Sequence, residues 1–179
     1  MARLRPARHE DLPAIARIAH ATLLLGGPGL EVFPSQALWG ELFVVPYLHR
    51  GCCCLVAEVG GEVVGYILGA CSRLPLLLLR LLLFPGPHAP ESRFPAHLHI
   101  GVDPKAQGHG LGKALLGAFL ECLRAKGVRG VQLSTTRANR AARGLYRALG
   151  FRLWAKRASP FWAPYRGRPT IHEVWVKEL

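Results

Sequence analysis

Gln107-Gly108-His109-Gly110-Leu111-Gly112-Lys113 places three glycines directly before an apolar helical pattern. A strand-like run, Ala96 to Val102, ends just upstream at Asp103-Pro104. Glycines opening a helix let the backbone come close to a ligand. The first-turn N–H groups have no intrahelical partner and point outward at the positive end of the helix dipole. That is chemistry for holding a phosphate. The spelling is not that of a P-loop, which needs Ser or Thr where Ala114 follows Lys113. Nor is it the dinucleotide fingerprint, since the glycines fall at 108, 110 and 112. An ordinary glycine-rich turn before a helix would also produce these residues.

A second element follows about thirty residues on: Asn139-Arg140-Ala141-Ala142-Arg143-Gly144-Leu145-Tyr146-Arg147-Ala148-Leu149-Gly150-Phe151. In this order and spacing, the two resemble the signatures of the GNAT superfamily of N-acetyltransferases: the acyl-CoA pyrophosphate loop, Q-x-x-G-x-G, and N-x-x-A-x-x-L-Y-x-x-x-G-F. Val45-Pro46-Tyr47-Leu48 and Pro95-Ala96-His97-Leu98-His99-Ile100 carry a narrower resemblance, to bacterial proteins akin to the acetyltransferase-like domain of O-GlcNAc hydrolases.

The resemblance implies transfer of an acetyl group from acetyl-CoA to a primary amine, by direct attack in a ternary complex, with no metal. Gln107, Gly108, His109, Gly110, Leu111, Gly112 and Lys113 would line the pyrophosphate, most of them through backbone N–H. Ile100 and Val102 would pair their main chain with the pantetheine arm. Asn139 would cap its helix and contact that arm. Tyr146 would be the general acid for the departing thiolate; a phenol with a pKa near ~10 carries its proton at neutral pH. Each has a plainer reading: a solvent-facing lysine, a core strand, a cap, a packing tyrosine.

The general base is harder to read. His97 and His99 have the right ordinary pKa. A similar His-x-His pair serves the serotonin-acetylating branch of the family, one residue farther from the glycine loop. Strand alternation turns such an offset pair to the other face, so neither is expected to be the base unless a bulge intervenes. Where other relatives carry a glutamate, this chain has Phe94. Glu58, Glu91, His172 and Glu173 stay open, as do a water chain and the free amine pool.

The charge is uneven. Of a net +12, residues up to Glu121 carry ten basic and nine acidic side chains, and the rest thirteen and two. A one-sided field attracts polyanions. Acyl-CoA is one, with Arg140, Arg143 and Lys113 as candidate contacts. Nucleic acid is another, but no nucleic-acid motif is present and it is not the expected partner.

Leu74 to Phe84, the densest apolar run, contains Pro75 and Arg80 and is too short to span a bilayer. No membrane partner and no secretory leader are expected. The five cysteines, Cys52, Cys53, Cys54, Cys71 and Cys122, show no zinc spacing and read as small buried hydrophobes of a reduced, cytoplasmic protein. Alternation sends Cys53 to the face opposite Cys52 and Cys54.

The elements that must position these groups follow from periodicity and turn chemistry. A short strand at Ala2–Arg8 precedes a helix opened by His9-Glu10-Asp11-Leu12-Pro13. A second helix is predicted from Ser35 to about Leu48, with Pro46 near its end. Cys52–Val59 and Glu62–Ala70 form a hairpin about Gly60-Gly61. Leu74–Phe84 reads as a short helix in a long connection. Helices at Gly110–Lys126 and Ala138–Leu149 flank a strand at Val128–Ser134, and strands at Phe151–Lys156 and Ile171–Lys177 close the chain. The order is β-α-α-β-β-β-α-β-α-β-β, predicting one α/β domain over residues 1–179, a GNAT-like, mixed, mostly antiparallel central sheet flanked by helices. The aromatic and basic loop Ser159 to Pro169 reads as an acceptor-site wall or a packed surface loop, with Trp39, Tyr47 and the Gly26–Ser35 loop as candidates for the opposite wall. Two rival functions stay open, a catalytically inactive acyl-CoA-binding module of the same fold and a nucleic-acid-associated basic protein. A monomer or homodimer fits either.

Overall fold

The strand before the glycine loop, β4, runs over Ala96–Val102, the boundaries the sequence predicts. In the computed structural model it lies fourth in a seven-stranded sheet of order β1-β2-β3-β4-β5-β7-β6. The structure describes residues 2–22, 35, 37, 40, 41, 44–71, 87–160, 163 and 167–179. The predicted helix at Leu74–Phe84, the Gly26–Ser35 loop apart from Ser35, Trp39 and most of the Ser159–Pro169 loop lie outside these residues. The strands are β1 Arg3–Pro6, β2 Cys53–Val59, β3 Glu62–Cys71, β4, β5 Gly130–Thr136, β6 Arg152–Ser159 and β7 Thr170–Glu178. The helices are α1 Leu12–Thr22, α2 Val45–Arg50, α3 Leu111–Ala125 and α4 Arg140–Ala148. Pro46, expected near a helix end, instead sits in the first turn of α2, where its missing N–H costs nothing.

The chain forms two compact units, one of Met1–Ala70 with Leu98–Lys126 and one of Cys71–His97 with Gly127–Leu179. In the first, β1 and β3 flank β2 in antiparallel register. Ile15, Ile18 and Ala19 of α1 bury against Val56, Tyr66 and Leu68. Helix α3 buries Leu111, Leu115, Leu116, Phe119, Leu120 and Leu123, the helical spacing read in the sequence. Asp11 is almost fully buried, with Arg5 donating to both its oxygens at 2.8 Å and the Arg8 N–H at 2.7 Å.

One sequence expectation fails in this unit. Cys53 and Cys122 are not free thiols; a disulfide joins them, Cα to Cα 6.3 Å, within the reach of such a bond. Alternation placed Cys53 correctly on the face away from Cys54, which packs among the α1 residues. That face meets α3, and Cys122 sits on it. Cys52, Cys54 and Cys71 are not disulfide-bonded.

In the second unit β5 and β6 both pair antiparallel with β7. The first two residues of β4 pair in parallel with β5, Ala96 with Val131 and His97 with Gln132. The buried Gln132 amide accepts from the Ala89 N–H at 3.0 Å and donates to the carbonyls of Ala89 and Phe94 at 3.0 and 2.8 Å. It staples the segment before β4 onto the strand beside it, beneath a core of Phe94, Val174 and Val176.

Candidate active site

After Val102 the chain makes a tight turn, Pro104–Ala106, whose cap is Asp103 accepting from the Lys105 N–H at 3.0 Å. The Gln107 amide turns back and donates to the Val102 carbonyl at 3.0 Å. The Gln107 side-chain amide is therefore engaged within the loop itself. His109 Nδ1 lies 3.4 Å from the Ala106 carbonyl. Gly108 and Gly110 have φ of +83° and +77°, the left-handed region where other residues are strained. A Cβ at either would meet no atom within 4 Å. Residues Gln107 to Gly110 are all exposed, as is Lys113.

Gly110 is the N-cap of α3 and supplies no capping side chain, and the first turn holds no acid. Most helices satisfy these N–H groups with a Ser, Thr, Asp or Asn cap. Here the N–H groups and the dipole's positive end face outward uncompensated, which is the electrostatic form of an anion site. Ile100 and Val102 are half-buried on β4.

The same strand carries the histidines. His97 is buried. His99 Nδ1 lies 2.8 Å from the hydroxyl of the fully buried Tyr66, with the two rings stacked at 5.6 Å. Gly101 makes this possible, because a Cβ there would come within 2.7 Å of the Tyr66 ring. Burial pulls the His99 pKa down to about 4, and pushes the Tyr66 phenol well above its usual value. His99 is thus a neutral ring with a partner, not a free imidazole poised near pH 7. Tyr66 gave no sequence signal beyond that of a core aromatic.

In the second unit Asn139 caps α4, its Oδ1 accepting from the Ala142 N–H at 3.1 Å. Tyr146, two turns on, is buried, with ring neighbours Phe151 at 5.8 Å and Trp175 at 6.4 Å. Burial raises its pKa above the ordinary phenol value, so the proton stays on at neutral pH. Trp175 is held in turn: its Nε1 donates to Glu173 Oε2 at 3.1 Å, and Arg143 Nε donates to the same oxygen at 2.9 Å.

Ion pairs revise three expectations. Arg143, a candidate for holding CoA, is engaged by a carboxylate that is only 2% exposed. Glu173, a candidate base, is the buried counter-ion of that pair, and Glu58, another, pairs with Arg5 at 2.8 Å. Arg140 and Lys113 remain exposed. Sequence reasoning missed Arg17, which reaches Asp103 across 86 positions, and the Gln132 staple across 43 and 38.

A mixed seven-stranded sheet with a glycine-opened helix after its fourth strand is the frame of a GNAT-class acetyltransferase. The chain belongs to the acetyltransferase (GNAT) family, whose model matches residues 29–151. Over 55 residues it is 51% identical to the mycothiol acetyltransferase of Arthrobacter sp. (strain FB24), covering 31% of this chain and 17% of that protein. Over 52 residues it is 52% identical to the mycothiol acetyltransferase of Beutenbergia cavernae, covering 29% and 18%. The chain thus matches less than a fifth of the length of these curated relatives. Across 99% of its length it is similar to a GNAT superfamily phosphinothricin acetyltransferase from Sinorhizobium meliloti, solved in complex with AcCoA, with 88% of that chain covered, 26% identity and a TM-score of 0.74. The ribosomal-protein-alanine N-acetyltransferase of Brucella melitensis, 24% identical over 99% of each chain with a TM-score of 0.72, shares the fold.

Among the described residues, no group of three or more His, Cys, Asp or Glu side chains could hold a metal. No helix there is long and apolar enough to cross a membrane.

Proposed function

We propose that this protein transfers an acetyl group from acetyl-CoA to a primary amine. The observation that carries the reading is the start of α3: an exposed helix opening at a left-handed glycine, with no capping side chain and no acid in its first turn. That opening suits a pyrophosphate, and the AcCoA bound to the Sinorhizobium neighbour supports the same ligand. Gln107 to Gly112 hold the pyrophosphate through their backbone, with Lys113 and Arg140 adding charge. Ile100 and Val102 offer main-chain groups to the pantetheine arm, and Asn139 contacts it beyond its capping role. The amine nitrogen attacks the thioester carbonyl in a ternary complex, the C–N bond forms and the C–S bond breaks. Tyr146 gives its phenolic proton to the departing thiolate, and the proton shed by the acylated nitrogen, relayed through water, restores the phenol. The amine enters in its neutral form, drawn from the free pool or deprotonated through water.

The relatives' names carry two different molecules, mycothiol and phosphinothricin, so no particular acceptor is proposed for this chain. The cytoplasm is the proposed compartment because acetyl-CoA is used there. The Cys53–Cys122 bond is then one that forms against a reducing pool, which is uncommon. The test is a panel of primary amines incubated with acetyl-CoA, reading thiol release and the mass of the acceptor. An acceptor-dependent thiol with a singly acetylated product supports the transferase. Tight acetyl-CoA binding with no acetylated product across the panel supports the inactive module instead.

A further inference from the structure

The loop that opens α3 is free at its tip and fastened at its root, and the fastening comes from α1. Every polar group of Asp103 is engaged. Its N–H donates to the Val64 carbonyl at 2.8 Å, and its own carbonyl accepts from the Ala106 N–H at 2.8 Å. Its Oδ1 accepts from the Lys105 N–H at 3.0 Å, and its Oδ2 accepts from Arg17 Nη1 at 2.5 Å. The second arm of the same guanidinium donates to the Val63 carbonyl at 3.3 Å. One side chain on α1 thus ties the start of β3 to the turn where the glycine loop begins.

We propose that Arg17 is a positioning residue for acyl-CoA, holding and neutralising Asp103 so that residues 107–112 stand ready for the pyrophosphate. The inference rests on the acetyl-CoA reading above.

Two physical arguments carry it. The first is order. Nothing lies within 4 Å of where a Cβ would sit at Gly108 or Gly110, so packing does not hold the tip. A loop of this kind keeps its shape through its root, and whatever is not ordered beforehand must be ordered by the ligand at a cost in affinity. The second is charge. Asp103 is the only acid between Glu91 and Glu121, so it is the carboxylate nearest the loop along the chain. Arg17 holds its pKa below the usual carboxylate value, so it is ionised at neutral pH. An unpaired carboxylate there would repel an incoming pyrophosphate within the ~8–10 Å screening range. Paired with Arg17, it is neutralised. The Arg17 side chain is about half exposed, and exposed ion pairs contribute little to stability. Its loss therefore shows in ligand affinity while the fold holds.

Calorimetry with acetyl-CoA on Arg17→Gln, Arg17→Lys, Arg17→Gln/Asp103→Asn and Gly110→Asp tests this, beside binding of S-acetylpantetheine, which lacks phosphates, followed by NMR. Arg17→Gln should bind acetyl-CoA about 10-fold more weakly, the scale of one charged contact. Arg17→Lys should regain most of the affinity. The double variant should bind better than Arg17→Gln, because the repelling charge is gone. S-acetylpantetheine should bind alike in the Arg17 variants and the wild type, with melting temperatures near the wild type. Wild-type acetyl-CoA affinity in Arg17→Gln, beside a large loss in Gly110→Asp, overturns the role of Arg17 and leaves the loop reading standing. Equal losses for acetyl-CoA and S-acetylpantetheine also overturn it, since they mean general damage. Wild-type affinity in Gly110→Asp overturns the loop reading, and this inference with it.

Discussion

The two signature regions of this chain are built in opposite ways. Residues 107–113 are exposed apart from Leu111 and Gly112 and present main chain: a Cβ at Gly108 or Gly110 would meet no atom within 4 Å, and the Gln107 side chain turns back to the Val102 carbonyl. Residues 139–151 present side chains held from behind: Tyr146 sits against Phe151 and Trp175, and Trp175 is fixed by a buried carboxylate shared with Arg143. Binding an anion through N–H groups needs only backbone shape and freedom from side chains. Delivering a proton needs one hydroxyl aimed and kept protonated, which takes burial and packed neighbours. The first region should therefore respond to added bulk or charge, and the second to the loss of single atoms.

The largest expected effect is in the second region. Tyr146→Phe removes only the hydroxyl, and turnover with an accepted amine should fall by ~10²–10⁴-fold while acetyl-CoA affinity holds. A variant with wild-type turnover would make Tyr146 a packing residue and erase the contrast. Next comes Gly110→Asp, which places a side chain at a left-handed position and a negative charge where the pyrophosphate is proposed to sit. Calorimetry should show acetyl-CoA affinity down by ~100-fold, with an unchanged circular dichroism spectrum.

A third variant sharpens what holds the second region. Glu173→Gln leaves the partly buried Arg143 charge without its counter-ion, and chemical denaturation should show a loss of about 3 kcal/mol. A loss within 0.5 kcal/mol, the ordinary scale of a surface change, would mean that the carboxylate is not holding the indole.

The smallest effect concerns His99. Its folded-state pKa, about 4, lies below the unfolded value near 6.5. The unfolded chain then binds more protons between those values, so stability drops as pH falls from about 6.5 toward 4. His99→Gln should flatten that part of a melting-temperature profile. It should leave the alkaline limb of the pH–rate profile intact, as should His97→Gln. Loss of an ionisation near neutral pH in either variant would make that histidine part of the chemistry.

What the sequence made legible divides along the same line. The β4 boundaries, the helical spacing of α3 and the glycines with positive φ just past α3 and α4, Gly127 and Gly150, were readable because each depends on neighbours in the chain. The order of elements was readable for the same reason, together with the two motifs. The pairs that join distant segments were not: Arg17 to Asp103, Gln132 to Ala89, Arg143 to Glu173 and Cys53 to Cys122. Alternation told which way Cys53 points but not what waits there. It could not tell that Glu173, a base candidate by residue type, would be consumed as the partner of an arginine on α4.

The central claim is that the backbone at the start of α3 holds acetyl-CoA. An amide-resolved NMR titration of the 179-residue chain tests it directly. The account predicts that the N–H resonances of Gly108, Gly110, Leu111 and Gly112 shift most and saturate together, and that Gly110→Asp abolishes those shifts at the same ligand concentrations. Saturable acetyl-CoA binding that leaves these four amides unmoved would contradict it.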